Sequence, residues 1–331
     1  MAATLKGKDL ICTQDWTKDE IIQTLDLAER LKREWKANKT SEFLKNKTFL
    51  MIFYSTSTRT RNSFEAAMTQ LGGHAHFLRP EEMQLSAGEN IKDTAKVLER
   101  YGAGIGIRVF GPSVEFKYGK ATELIEEYAR WADIPVINMS SDKFHPCQVL
   151  ADLMTIRERI GDLKGRRFVM SWAYNPRVRR PMCMANSLAL LMTRFGMDFV
   201  LAHPKGYGID PEVIRTAQMN AKNNGGRFAI ETSMENAFQN ADVVCALDWT
   251  MINVGEVGLK EDEKLRNNYK HWKVTNDLVK ICSKNVYYIH PLPAIRGYEV
   301  DDEVIDGPHS IVYDQAENRL HIQKAVLSLV M

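Results

Sequence analysis

The segment Ser57-Thr58-Arg59-Thr60-Arg61 packs three hydroxyls and two guanidiniums into five consecutive residues. Before it, Thr48–Tyr54 reads as an apolar strand. After it, Phe64, Ala67, Met68 and Leu71 share one face of a helix that Gly72-Gly73 ends. The first backbone N–H groups of a helix have no intrahelical partner, and the helix dipole there favours an anion. Ser57, Thr58 and Thr60 add hydroxyl donors, and the planar fork of Arg59 can hold two phosphate oxygens. The plainer reading is a capped helix with two solvated arginines. The density of Ser, Thr and Arg at a strand-to-helix turn favours a phosphate site.

Other residues carry less when taken alone. His145 before Pro146 reads more readily as a helix cap than as a catalytic group, Arg319 as a surface ion pair, and Cys147 as a small buried side chain. Gly102-Ala103-Gly104-Ile105-Gly106 superficially suggests a dinucleotide loop. The dinucleotide fingerprint needs a strand, a turn and then a helix, whereas here a helical stretch precedes and a strand follows. A nicotinamide-dependent oxidoreductase is therefore a weak reading, and no Walker A pattern occurs.

The elements that must position these residues alternate. After Thr48–Tyr54, strands are expected at His74–Leu78, Gly104–Val109, Arg167–Ala173, Asp198–Ala202, Arg227–Glu231, Asp242–Ala246 and Val286–Ile289. Helices are expected at the lead-in ending near Leu31, at Ile91–Arg100 and from Pro146. Such alternation predicts an α/β protein with parallel, doubly wound sheets. At 331 residues the chain suits two domains, 1–150 and 151–311, joined by the helix that begins at Pro146. The apolar tail within 312–331 is expected to dock back on the first domain. Asn175–Met182 and Met251–Asn268 are the least regular stretches, of the kind that carries substrate contacts.

Lys+Arg number 44 against 42 Asp+Glu, which gives no overall field for nucleic acid or an anionic membrane. Hydrophobic residues at 44% and charged residues at 26% are ordinary for a globular chain. The longest apolar runs are too short to span a bilayer, and Met1–Leu10 does not read as a leader. Cys12, Cys147, Cys183, Cys245 and Cys282 are odd in number and form no CxxC, which suits free thiols in a reducing cytoplasm.

Ser57–Arg61 followed by Ser63-Phe64-Glu65 resembles the carbamoyl phosphate motif of the aspartate/ornithine carbamoyltransferases. Further blocks follow in the family's order: Gln84-Leu85 with Gly88-Glu89, Ile91–Ala95, Ile107-Arg108, and His145-Pro146-Cys147-Gln148 with Ala151-Asp152-Leu153. His290-Pro291-Leu292-Pro293 and Glu317–His321 complete the set, so the resemblance spans nearly the whole chain. It implies a carbamoyl phosphate domain, an amine-binding domain, a site in the cleft between them, and a homotrimer whose sites a neighbouring subunit completes. Ser57, Thr58, Arg59 and Thr60 would hold the phosphate. Arg108 would bridge phosphate and carbamoyl oxygens, His145 would bond the carbamoyl oxygen, and Gln148 the nitrogen. The Leu292 carbonyl and Arg319 would complete the pocket, with Gln84 reaching in from the neighbour. Arg59, Thr60, Arg108, His145 and Gln148 form the expected catalytic set. Neither a metal nor a cofactor is implied. Attack of a neutral amine on the carbamoyl carbon needs alignment and oxyanion stabilisation rather than a covalent intermediate.

The resemblance weakens where the second substrate is read. The ornithine enzymes carry Asp-x-x-x-Ser-Met-Gly after the fourth strand of the second domain. An ungapped alignment puts Leu247 at that Asp and Met251-Ile252-Asn253 at Ser-Met-Gly, with Asp248 one residue away. Pro291 stands where the ornithine enzymes have Cys, as in the aspartate enzymes, and proline removes both a thiol and a backbone donor. Ser171–Pro176 with Pro181 and Asn186-Ser187 is similar to the proline-bearing loop of the N-acetylornithine carbamoyltransferases. That subgroup threads the loop into a trefoil knot, so a knot is expected in the second domain. The subgroup also has Lys at the position of Leu247 and keeps Cys at Pro291, whereas Ala294 and Arg296–Val300 keep the ornithine-like form. An acceptor amine other than plain ornithine is therefore expected, met by Trp172, Asn186, Asp248, Met251, Pro291 and Arg296. Arg177, Arg179 and Arg180 either meet a carboxylate or form a solvated basic loop. Two alternatives stay open: an ornithine carbamoyltransferase with an altered loop, and a regulatory protein that binds carbamoyl phosphate without turnover.

Overall fold

The computed structural model describes residues 5–177 and 179–331. Residues 1–4, part of the stretch read as lacking a leader, and Val178, in the proline-bearing loop, lie outside the described residues. The chain divides into two compact units. Unit 1 is Met1–Glu115, Gly119–Met154 and Glu317–Met331, and unit 2 is Phe116–Tyr118 and Thr155–Ala316. Expected boundaries at 150 and 312 compare with observed ones at Met154/Thr155 and Ala316/Glu317.

Unit 1 carries β1 (Thr48–Phe53), β2 (His74–Leu78), β3 (Gly104–Arg108) and β4 (Val136–Ser140), all parallel, in the order β2-β1-β3-β4. Its helices are α1 (Lys18–Lys36), α2 (Thr58–Gln70), α3 (Ile91–Leu98) and α4 (Lys120–Trp131). Strand β1 is a nearly continuous apolar run because parallel strands are covered on both faces. Phe64 of α2 stacks on Phe49 of β1 at 5.3 Å between ring centroids. Gly106 on β3 is required by close approach: a Cβ there would lie 2.6 Å from Phe49 Cζ and 2.9 Å from Met139 Sδ. The glycines that mimic a nucleotide loop therefore belong to a packed central strand. Two elements absent from the expected alternation, α4 and β4, complete the unit. Strand β4 is masked in sequence by Asn138 and Ser140. Asn138 is buried, and its Nδ2 donates to the Ile11 carbonyl at 3.0 Å and to Ser141 Oγ at 3.1 Å.

Helix α5 (Pro146–Ile160) carries the chain from unit 1 into unit 2. Unit 2 has β5 (Arg167–Trp172), β6 (Asp198–Ala202), β7 (Phe228–Glu231), β8 (Val243–Leu247) and β9 (Tyr287–Ile289), parallel in the order β7-β6-β5-β8-β9. Phe168, Phe199 and Phe228 stack across three strands, with centroids 5.5 and 5.7 Å apart. Its helices are α6 (Cys183–Arg194), α7 (Pro211–Asn224), α8 (Met234–Phe238), α9 (Val254–Val257), α10 (Leu259–Arg266), α11 (Asn276–Lys280) and α12 (Asp302–Ile305). Helices α9 and α10 correct the expectation of an irregular Met251–Asn268. The charged sequence of α10 hides its periodicity, and Asp262 and Arg266, one turn apart and both buried, anchor it. Helix α13 (Val312–Val330) is longer than the expected apolar tail. It starts in unit 2, and from Glu317 it belongs to unit 1, where Ile322, Ala325, Val326 and Leu327 are fully buried. Among the described residues, no helix is long and apolar enough to cross a membrane.

Candidate active site

In open parallel sheets, ligands bind at the carboxyl ends of the strands where the strand order reverses. In unit 1 that point lies between β1 and β3. The segment leaving β1 is Tyr54–Ser57, and β3 ends on Arg108. Ser57 is the N-cap of α2, and its Oγ accepts from the Thr60 N–H at 3.1 Å. The dense hydroxyl cluster therefore opens a helix at a switch point, the geometry of an anion site.

Three further elements bring charge to the same unit. Arg319 of α13 is buried, and its Nη1 donates to Gln148 Oε1 at 2.5 Å while Nη2 donates to Thr60 Oγ1 at 3.3 Å. Gln148 Nε2 in turn donates to Asp152 Oδ1 at 2.8 Å along α5. Thr60, Gln148, Asp152 and Arg319 thus form one buried chain of side chains. Arg319 Nε is buried and makes no hydrogen bond in the structure. Burial, with Arg59 as a second cation nearby, lowers the Arg319 guanidinium to about 10, against the pull of Cys147 and Asp152. His145 is buried, and burial together with Arg319 and Arg108 holds its imidazole well below the ordinary histidine value. Three guanidiniums and a neutral imidazole donor, gathered from half-buried to fully buried positions, suit a multiply charged anion whose charge moves during reaction. Burial pushes the Cys147 thiol up to about 12, which makes it an inert core residue. Ser57 and Arg59 are half-buried, Thr58 is exposed, and the Arg108 guanidinium lies 4.6 Å from the Phe110 ring centroid. Gln84 is exposed on a short turn, Gln84–Ala87.

In unit 2 the order reverses between β5 and β8, and the segments leaving β5, β8 and β9 meet in a charged network. Arg180 bonds both Asp248 and Glu299, and its Nη2 reaches the Pro293 carbonyl at 2.6 Å. Asp248 also accepts from Asn175 Nδ2 at 3.1 Å and from Arg266 Nη1 at 3.4 Å. Glu299 accepts from the backbone N–H groups of Ile295 at 2.6 Å and Asp248 at 3.2 Å, with His290 Nε2 at 3.7 Å. Burial raises the Asp248 carboxyl, helped by Glu299. Burial also opposes ionisation of Glu299, but His290 and Arg180 prevail and lower it.

This geometry places the six candidate acceptor residues differently from one another. Trp172 is buried among Tyr207, Tyr269 and Trp272, and its Nε1 donates to the Trp249 carbonyl at 3.0 Å. Asp248 is fully buried under two arginines. Asn186 is buried and donates to the Tyr118 hydroxyl at 3.0 Å. Arg296 is exposed and paired with Asp302 and Asp306. Met251 and Pro291 are half-buried. Leu292 follows β9 with a φ of +47°, rare for a branched side chain, and its N–H donates to His290 Nδ1 at 2.9 Å. Of the loop arginines, Arg177 is exposed with its guanidinium 5.8 Å from the Tyr298 ring centroid. Arg179 pairs with Asp262 at 3.4 Å. The solvated-loop reading therefore fails for Arg179 and Arg180. Arg266 belongs to no motif, although its spacing from Asp262 is that of a helical ion pair.

The family model for the aspartate/ornithine carbamoyltransferase carbamoyl-P binding domain matches residues 8–158, and that for the Asp/Orn binding domain matches residues 182–330. An ornithine carbamoyltransferase of Pyrococcus abyssi is 43% identical over all of this chain and 98% of its own length. The structure of an ornithine carbamoyltransferase from Pyrococcus furiosus superposes with a TM-score of 0.88 at 43% identity, covering 99% of this chain and 98% of that one. An acetylornithine transcarbamylase complexed with acetylcitrulline gives 0.89 at 34% identity, covering 98% and 99%. The names of the 43% relatives give no support to the expectation of an acceptor other than ornithine. The two folds are equally close, so the backbone does not choose between those acceptors.

Proposed function

The chain belongs to the aspartate/ornithine carbamoyltransferase family and is a carbamoyltransferase, and from that premise we propose that it moves the carbamoyl group of carbamoyl phosphate to the side-chain amine of an ornithine-type amino acid. The observation that carries the donor half is the placing of Arg319 and Arg108 beside His145, with Arg59 in turn near Arg319 and Arg319 Nε buried and without a partner. Ser57, Thr58 and Thr60 hold the phosphate with the α2 N-terminus. Arg108 and His145 donate to the carbamoyl oxygen as it becomes negative, and Gln148 orients the carbamoyl nitrogen. The amine's lone pair forms the new C–N bond, the C–O bond to phosphate breaks, and phosphate leaves with the proton the amine loses.

Ornithine is the first acceptor of this proposal, because of the relatives at 43% identity. A second reading, an N-acylated ornithine, rests on two observations. Leu247 replaces the acid expected for the α-amine, and Asp248 beside it is covered by Arg180 and Arg266. An acylated α-nitrogen carries no charge and needs no such acid. Met251, Pro291 and Arg296 are the proposed acceptor contacts, with Trp172, Asn186 and Asp248 supporting them from the core. The assembly is a homotrimer in which Gln84 serves a neighbouring site, and the proline-bearing loop is knotted. The five cysteines, none in a disulfide, suit a cytoplasmic location.

The test is ureido-product formation from carbamoyl phosphate with ornithine, N-acetylornithine, putrescine and aspartate in parallel. Product from ornithine alone establishes the first reading, and product from N-acetylornithine alone the second. Carbamoyl phosphate binding without product from any amine would support a non-catalytic binding protein instead.

A further inference from the structure

The charged network of unit 2 contains three guanidiniums, Arg179, Arg180 and Arg266, against three carboxylates, Asp248, Asp262 and Glu299. It sits at the carboxyl ends of β5, β8 and β9, where the strand order reverses. Asp248, Asp262, Glu299 and Arg266 are fully buried. The network therefore presents no surplus negative charge to a cationic ligand. Arg180 is its centre: its guanidinium joins the segment after β8, through Asp248, to the segment after β9, through Glu299 and the Pro293 carbonyl, beside the direct bond from the Asp248 N–H to Glu299 at 3.2 Å. The Thr250 N–H closes the loop by donating to the Arg180 carbonyl at 3.0 Å. Glu299 then caps the Ile295 N–H, so the guanidinium dictates the course of Pro291–Glu299.

We infer that Arg180 is a positioning residue of the acceptor site that also sets its charge. It orders the Pro291–Glu299 segment, and it cancels two carboxylates that would otherwise draw an ammonium group. This inference rests on the acceptor reading above and adds to it a determinant of selectivity between acceptors with and without a charged α-amine. Arg180 reaches no reacting atom and acts through Asp248 and Glu299.

The experiment compares wild type, Arg180→Met, Arg180→Lys and Glu299→Gln, measuring kcat/KM for ornithine and for N-acetylornithine, with the carbamoyl phosphate KM as control. Removing the guanidinium takes one cation from two carboxylates and leaves the network with a surplus negative charge, so Arg180→Met should shift the ornithine to N-acetylornithine ratio toward ornithine by about tenfold or more. Carbamoyl phosphate KM should stay within about threefold, because the phosphate-binding residues Ser57, Thr58, Arg59 and Thr60, with Arg108 and Arg319, lie in unit 1. Arg180→Lys should restore most of the wild-type ratio. Glu299→Gln keeps the shape, leaves Arg180 with less negative charge, and should move the ratio the other way. Opposite shifts from two members of one network are not the signature of a general loss of packing. Should Arg180→Met fail to fold, the Glu299→Gln ratio decides. An unchanged ratio in the folded variants, or shifts of the same sign, would overturn the inference. Absence of product from wild type with either acceptor would instead overturn the acceptor reading. Calorimetric binding of the two amino acids to the same variants would then still decide the charge role.

Discussion

At the scale of single residues, the donor site is built from groups whose charge is held in place by burial. Arg59 supplies a cation close enough to Arg319 to depress it. Its removal should weaken carbamoyl phosphate binding by about 1.5–3 kcal/mol, or roughly 10- to 150-fold, the worth of charge-assisted contacts to phosphate. Calorimetry on Arg59→Ala reads this, and an unchanged Kd would remove Arg59 from the pocket. His145 differs in kind, because its buried imidazole between arginines stays neutral and donates from a fixed position. If it bonds the oxygen that gains charge, His145→Ala should lower kcat by about 100-fold while carbamoyl phosphate affinity moves only a few-fold. Loss of affinity with kcat intact would make it a binding residue. Cys147, two residues after His145 at the start of α5, is a contrasting case. Its thiol is fully buried and pushed up to about 12. Cys147→Ala should keep kcat, and thiol alkylation of the native enzyme should spare Cys147. Rapid inactivation at that residue would sink this assignment.

At the scale of elements, the donor site depends on α2 starting where β1 ends and on β3 lying close beside β1. Gly106 permits that approach, since any side chain there meets Phe49 and Met139. Gly106→Ala should destabilise by about 1–3 kcal/mol through overpacking. This should appear as a lower urea midpoint with unchanged m-value, and a wild-type midpoint would show that the strand can yield. The β1–α2 and β3 elements were legible because their signals are local: an apolar run, an N-cap serine, and buried positions at helical spacing. Strand β4 was not, because Asn138 looks like a loop residue until its carbonyl partners at Ile11 and Phe144 are known. Helix α10 was hidden for the converse reason. Its sequence is almost all charge, and its order comes from Asp262 and Arg266 being buried together. The donor site could be read from motif and order along the chain. The acceptor side could not, because Asp248, read as a contact to the acceptor, is in three dimensions paired with Arg180, 68 positions away.

At the scale of the whole molecule, three histidines tie stability to pH with one sign. Burial lowers His145 well below its ordinary value, assisted by Arg319 and Arg108. Burial also lowers His203, against a hydrogen bond to the Pro204 carbonyl, and it lowers His321 to about 4, helped by Lys324. In the unfolded chain each takes up a proton near the ordinary value of about 6.5. Below that pH the unfolded state binds more protons than the folded state, so stability rises with pH across the window. The contribution is complete above about 6.5 and is lost as pH falls toward the folded values, with His321 marking the lower edge near 4. His145 and His321 belong to unit 1 and only His203 to unit 2, so acid should weaken unit 1 first. Calorimetry at pH 7.5, 6.5 and 5.5 should show a falling melting temperature, with a lower-temperature shoulder growing as pH drops. Saturating carbamoyl phosphate should raise that shoulder back, because a ligand of the folded unit 1 stabilises it by mass action. His321→Gln should flatten the dependence, since it removes a group that the folded chain keeps deprotonated. A melting temperature that is constant or rises from pH 7.5 to 5.5 would mean that these imidazoles are reached by solvent and protonated without cost in the folded protein. The neutral form assigned to His145 at the donor site would then fail with them.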